Sequence, residues 1–339
     1  MSARYLKLSR SELESRAQQA YEIYRECRVC PHACGVDRTQ GQTGYCGQTD
    51  LLSVSSSVRH FGEEPPLVGT GGVGNLFVTA CNLRCDYCQN FQISQDWKNP
   101  TDAVNLEQSY LVAAEQMLRL QEEGVHFIGW VSPSHVVPGL LKSLSIAREK
   151  GLEIPIIYNT NGYDALATLK LLDGVVDVYL PDLKYADSAI AKGISHIHEY
   201  PEFSRQAVLE MYRQVGPLSL RDDGLAESGL LVRHLLLPEG LAGTWETLCF
   251  IALELSPSVS LSLMSQYRPV HKVTSPLDRE ITPEEYESAI SMARELGFEN
   301  LYLQSMETAV HNLPDFDNTE NPFPLDRTHN QENAKIGQL

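Results

Sequence analysis

The chain has 339 residues, room for one large domain or two of ordinary size. Its 27 basic and 44 acidic residues leave a net charge of −17, which argues against a nucleic-acid backbone as partner, because that needs clustered Lys and Arg. The opening MSARYLKLSRSELES has no apolar signal core, and no stretch nears the roughly 18 apolar residues of a membrane span, so a soluble cytoplasmic protein without disulfides is expected.

In chain order, the apolar spacing of Leu13, Ala17, Ala20, Ile23 and Tyr24 predicts a helix from Ser11, its N-cap, to about Glu26. A Cys-, Gly- and Pro-rich stretch follows. Cys27, Cys30, Cys34 and Cys46 supply the four thiolates of a closed metal site, either a structural zinc or an auxiliary iron–sulfur cluster. Buried ordinary cysteines are the plainer alternative. Residues 1–60 are read as this N-terminal module. Glu63 and Glu64 precede the first core strand on the side expected to face away from any site. Gly69-Thr-Gly71-Gly-Val-Gly74 matches a dinucleotide-binding pattern, but prolines precede it and a strand follows, so it reads as a glycine turn.

From Asn75 onward, short β-branched or aromatic runs alternate with amphipathic stretches. Strands are predicted at Asn75–Thr79, Val125–Val131, Ile154–Asn159, Val175–Leu180, Leu230–Leu237 and Ser258–Met264, with a short last one at Asn300–Leu303. Helices are predicted at Asn105–Glu123, Pro138–Lys150, Ala165–Leu172, Pro201–Val215, Thr244–Leu255 and Pro283–Leu296. This alternation implies a parallel sheet, doubly wound or closing toward a barrel, over residues 61–304. Residues 305–339 form an extension without periodicity whose end is expected to be poorly ordered.

The sharpest motif is Cys81-Asn-Leu-Arg-Cys85-Asp-Tyr-Cys88, directly after the first predicted strand. Three thiolates from one loop can hold one inorganic cluster and leave a metal position open for a ligand. A zinc knuckle completed by Cys249 or a histidine is the alternative. The predicted strands end in Ser132, Ser134 and His135; Asn159, Thr160 and Asn161; Asp182 and Lys184; Arg233; and Gln266 and Arg268. In a βα barrel such ends converge on the active site. Residues at i and i+2 share a face, which pairs Asp182 with Lys184 and Asn159 with Asn161. His196 and His198 read as a solvated loop, and Cys249 as core.

The C-x3-C-x2-C loop after a strand, with an aromatic before its last cysteine, resembles the radical S-adenosylmethionine (SAM) superfamily. Asp182-Leu-Lys184 and Arg233-His-Leu-Leu-Leu-Pro238 resemble segments of pyruvate formate-lyase activating enzymes. With CRVCPHACGVDR, HFGEEPP, YNTNGYD and MSQYRP, the chain is most similar to the related, uncharacterised iron–sulfur branch sometimes called PflX-like. The resemblance implies a partial (β/α)6 TIM-like barrel with a small N-terminal Cys-rich module. It implies a [4Fe-4S] cluster on Cys81, Cys85 and Cys88 whose open iron binds SAM and cleaves it reductively to a 5′-deoxyadenosyl radical. It puts Lys184 and Asp182 in the catalytic positions and sets Tyr87, Asn159, Asn161, Arg233 and Gln266 around SAM. Ser132 or Ser134 stands where relatives carry a G-G-E/Q segment for the SAM amino group. A donor such as flavodoxin or ferredoxin is implied, while the substrate stays open between a protein glycine and a small molecule or peptide. A non-catalytic zinc or iron–sulfur scaffold is the alternative of another class.

Overall fold

A computed structural model describes residues 3–97, 105–306, 313–318, 321–323 and 337–338. The chain opens with α1 (Arg10–Glu22), capped by the Ser9 hydroxyl accepting from the Glu12 N–H. The cap thus lies two residues before the expected Ser11. The Cys-rich segment leads to β1 (Val54–His60), α2 (Pro65–Val68) and β2 (Val73–Val78). After the short α3 (Phe91–Ser94) the repeat runs α4 (Leu106–Glu122), β3 (Phe127–Val131), α5 (Val137–Glu149), β4 (Ile156–Thr160), α6 (Leu166–Leu171) and β5 (Val178–Pro181). It continues with α7 (Ser188–Ser195), α8 (Tyr200–Val215), β6 (Ser219–Leu220), β7 (Ala226–Leu235), α9 (Thr244–Phe250), β8 (Ser260–Met264), α10 (Pro283–Glu295) and β9 (Leu301–Leu303). A two-residue β10 (Gly337–Gln338) comes last.

The fold is mixed α/β. One sheet follows the order β1-β2-β3-β4-β5-β7-β8-β9-β10, and β6 pairs beside this path with β7. Pairing is parallel from β2 through β9 and antiparallel at both ends, with no pairing of β1 to β10 among the described residues. All seven predicted strands exist, each shifted by a few residues. β1 was not foreseen, because VSSSVRH lacks the apolar run that marks the others; β2 supplies its order by pairing. The predicted helix from Thr244 to Leu255 leaves α-geometry at Ile251 for one π-turn. Between β5 and β8 the unpredicted α7 replaces an expected loop, with Asp187 accepting from the Ile190 N–H as its cap.

The two faces of the sheet divide the labour. One face packs Leu76, Ile128, Trp130, Tyr158, Tyr179, Val232 and Leu261 beneath the helices. On the other, Val73, Phe127, Ile157, Val178, Leu231 and Tyr302 form an apolar floor near the strand starts. Two residues further along the same strands stand Asn75, Gly129, Asn159 and Arg233. That face therefore turns polar toward the strands' C-terminal ends.

Candidate functional site

A cavity opens where the polar end of the sheet meets the loop after β2. It is lined by Cys81, Cys85, Tyr87, Cys88, Ser132, Asn159, Asn161, Asp182, Lys184, Arg233 and Gln266, and also by His60, Glu63, Phe77, Pro314 and Phe323. It encloses about 1180 Å³ of atom-free space, part of it open to solvent.

The cysteine loop is tied down residue by residue. The Ala80 N–H donates to the Ile93 carbonyl across α3. Cys81 Sγ accepts from the Leu83 N–H (3.4 Å) and from Asn161 Nδ2 (3.3 Å). Cys85 Sγ accepts from the Ser195 hydroxyl at 2.9 Å, and Cys88 Sγ meets Ser94 Oγ at 3.2 Å. Ser195 ends α7, and the next residue, His196, bonds Asp86 Oδ1 through Nε2 at 3.0 Å. The expected solvated loop at His196 is thus the helix end that grips the cysteine loop. Burial above all, with the neighbouring thiols adding to it, pushes the Cys81 thiol up to about 12 and the Cys85 thiol up to about 11, with Lys184 opposing the rise at Cys85.

The Asp182–Lys184 pair closes at 2.6 Å between Oδ2 and Nζ. Burial alone would favour neutral lysine, but Asp182 and the nearby Cys85 outweigh it and hold the ammonium charged. Behind the pair, the Tyr200 hydroxyl lies 2.8 Å from the Asn161 carbonyl and 2.9 Å from that of Asp182, and it receives the Lys184 N–H. A Cβ at Gly162, where φ is +81°, would meet the Asp182 carbonyl at 2.4 Å, so this turn requires glycine. His234 Nδ1 donates to the Leu183 carbonyl (2.7 Å), and its Nε2 receives the Thr244 hydroxyl (3.0 Å).

His234 and His135 are buried, and burial holds both near pH 4. The unfolded chain takes up these protons near pH 6.5 and the folded one only near 4. Their contribution is therefore complete above 6.5 and lost as pH falls toward 4, up to about 3 kcal/mol each. Urea-unfolding free energies should fall across that window. In His234→Gln the slope should drop by about one proton, and an unchanged slope would refute the assignment.

Arg233 differs most from expectation. Glu63 and Glu64 do not face away: both bond its guanidinium, with Glu64 taking Nε (2.8 Å) and Nη2 (2.5 Å) and Glu63 sharing Nη2. Their side chains are 7% and 3% exposed. Burial would raise the Glu63 carboxyl, but Arg233, His60 and the hydrogen bond from Asn75 Nδ2 (2.7 Å) hold it down at about 2. The Asn75 side chain that bonds Glu63 occupies the space over Gly129 on β3, where a Cβ would stand 2.1 Å from Asn75 Oδ1. A charged run before a strand usually marks solvent.

Other expectations divide. Tyr87 lines the cavity and receives a hydrogen bond from the Tyr185 hydroxyl at 3.0 Å. Ser132 lines it in a left-handed conformation, φ +55°. Ser134 does not: its hydroxyl meets Thr160 Oγ1 at 3.1 Å in a buried network with Asp164. Arg268 pairs with Glu280 outside the cavity. Cys249 is half-buried on α9 and does not line the cavity, so it is neither core nor a ligand for that loop. The glycine turn does lead from α2 into β2 and opens no helix.

At the N-terminus, the Gly35 N–H reaches the Cys27 carbonyl and the Ala33 N–H the Cys30 carbonyl, both at 3.0 Å. The Tyr45 N–H points at Cys34 Sγ (3.4 Å). This segment docks on the site from two directions. His32 stacks on Tyr45 at 3.8 Å and bonds the Asn82 carbonyl, and the buried Arg38 donates to the His135 carbonyl at 2.7 Å. Among the described residues, no three or more His, Cys, Asp or Glu side chains are grouped to hold a metal ion, and no helix is long and apolar enough to cross a membrane.

No protein-family model matches the chain. It is similar to uncharacterized protein MJ0674 of Methanocaldococcus jannaschii, with 28% identity over 296 residues, 86% of this chain and 80% of that protein. It is also similar to uncharacterized protein MJ0808 of the same organism, with 28% identity over 171 residues, 47% of this chain and 49% of that protein.

Proposed function

We propose that this chain is a radical SAM enzyme, a partial (β/α) barrel that carries a [4Fe-4S] cluster on Cys81, Cys85 and Cys88 and binds SAM in the cavity beside them. The observation that carries this reading is that the three thiols line the same cavity as Asn159, Asn161, Asp182, Lys184, Arg233 and Gln266, gathered from four strand ends. The donor set fits the group. Each sulfur has a hydrogen-bond partner, and thiols kept protonated by burial become thiolates when a metal supplies the positive charge. A cubane takes each thiolate on a different iron, so its ligands need not converge as those of a single ion must.

When bound, the cluster supplies one-electron cleavage of SAM and thereby a 5′-deoxyadenosyl radical for hydrogen abstraction. The chain's own residues bind and orient. Lys184, held charged by Asp182, and the amide of Asn159 present donors to a carboxylate or hydroxyls, while Asn161 is spent on Cys81 and Asn82 and so fixes the cluster loop; Tyr87 offers an aromatic wall. Ser132 and its carbonyl stand for the amino group, without Ser134. A low-potential donor such as flavodoxin or ferredoxin would deliver the electron in the cytoplasm. The N-terminal thiols belong to a zinc or auxiliary cluster that braces the site through His32 and Arg38.

Pro314 and Phe323 line the cavity, and Phe316 packs on Phe77 at 5.1 Å. That cavity stays open to solvent, which suits a protein glycine as well as a small molecule or peptide as substrate. Anaerobic reconstitution with iron, sulfide, dithionite and SAM should yield 5′-deoxyadenosine. An intact cluster spectrum without that product would overturn the enzymatic reading.

A further inference from the structure

Lys184 and Arg233, which line the cavity, are both paired within the protein. Lys184 is matched by Asp182 alone, but Arg233 is matched twice, by Glu63 and Glu64. Lys184 and Arg233 against Asp182, Glu63 and the Glu64 behind it sum to −1, with the His60 ring lining the cavity beside Glu63. A buried charge in excess is costly unless something compensates it. Among the described residues Arg233 Nη1 makes no hydrogen bond, although Nε and Nη2 are both engaged. The double clamp therefore fixes the guanidinium plane and leaves one edge for a ligand, while its charge is more than cancelled. Such an arginine donates hydrogen bonds without attracting anions.

Resting on the SAM reading above, we propose that Glu63 and Glu64 are positioning and specificity-determining residues: they hold Arg233 as a donor to the cavity and make the wall net negative, so that it selects an occupant of net positive charge. SAM, with its sulfonium, ammonium and carboxylate, carries a net charge of +1. S-adenosylhomocysteine has the same donors and acceptors but a neutral sulfur. The wall discriminates between them by the charge at sulfur.

The test is isothermal titration of both ligands into the cluster-loaded protein under anaerobic conditions, so that binding is read without turnover. Wild-type protein should prefer SAM. In Glu63→Gln, which leaves Glu64 doubly bonded to Arg233, that preference should shrink roughly tenfold, the order expected for one charge a few ångströms away in a partly buried site. Glu64→Gln should shrink it similarly, which covers failure of either variant to fold, and Glu63→Asp should retain it. A purely structural role would weaken both ligands alike and leave the ratio unchanged. An unchanged ratio in folded Glu63→Gln or Glu64→Gln protein, with both ligands binding, overturns this inference alone. No binding of either ligand to wild type overturns the SAM reading with it.

Discussion

Cys85→Ala protein, reconstituted anaerobically, is expected to lose the visible absorption of the cluster and all detectable 5′-deoxyadenosine formation. Cys85 is the middle of the three thiols, buried, and fixed by the Ser195 hydroxyl at the end of α7. Removing it leaves two thiolates on a loop whose backbone is anchored elsewhere, at Asp86 to the Ile194 carbonyl and at Gln95 to the Cys85 carbonyl. The loop therefore keeps its shape, and the loss is chemical. Cys249→Ala is the control, since that residue stands outside the cavity. Equal iron content and turnover in Cys85→Ala would sink the assignment of this loop.

Arg233→Ala should cost about 3–5 kcal/mol of folding stability at neutral pH, because two buried carboxylates lose their common partner. The pH dependence gives the effect a signature. In the wild type, Glu63 is held near 2, below its ordinary 4.5, so its contribution is complete above 4.5 and fades as pH falls toward 2. Without the guanidinium, burial dominates and the folded protein holds protons more tightly than the unfolded chain. The deficit should then be largest at pH 7 and shrink toward pH 5 in urea titrations. A pH-independent deficit would show that Arg233 acts through packing alone. Glu63→Gln/Glu64→Gln/Arg233→Met should recover much of the loss, since removing all the charges leaves none unpaired.

Alternation of apolar runs with amphipathic stretches made the parallel sheet legible, because buried strands need continuous Val, Ile and Leu while the helices need one apolar face. It could not reveal β1, whose serines acquire strand geometry only by pairing with β2. Nor could it reveal α7, where Gly193 dilutes a short helix that is nevertheless capped and gripped at both ends. In the cavity, strand ends could be read from period-two alternation, so Asp182 with Lys184 and Asn159 with Asn161 arrive together. Ser134 escaped that logic because the chain leaves β3 through a left-handed Ser132, which turns the next residues inward to Thr160. Glu63 and Glu64 escaped because their partner lies about 170 positions away, and no local pattern records such a distance.

Gly129 lies in the middle of an apolar strand. At that point a side chain and the Asn75–Glu63 hydrogen bond are mutually exclusive occupants of one space. A methyl group there would displace an amide, the amide would release a carboxylate, and the carboxylate would free one side of Arg233. An electrostatic property of the cavity is thus inherited as missing volume, at a residue that carries no charge.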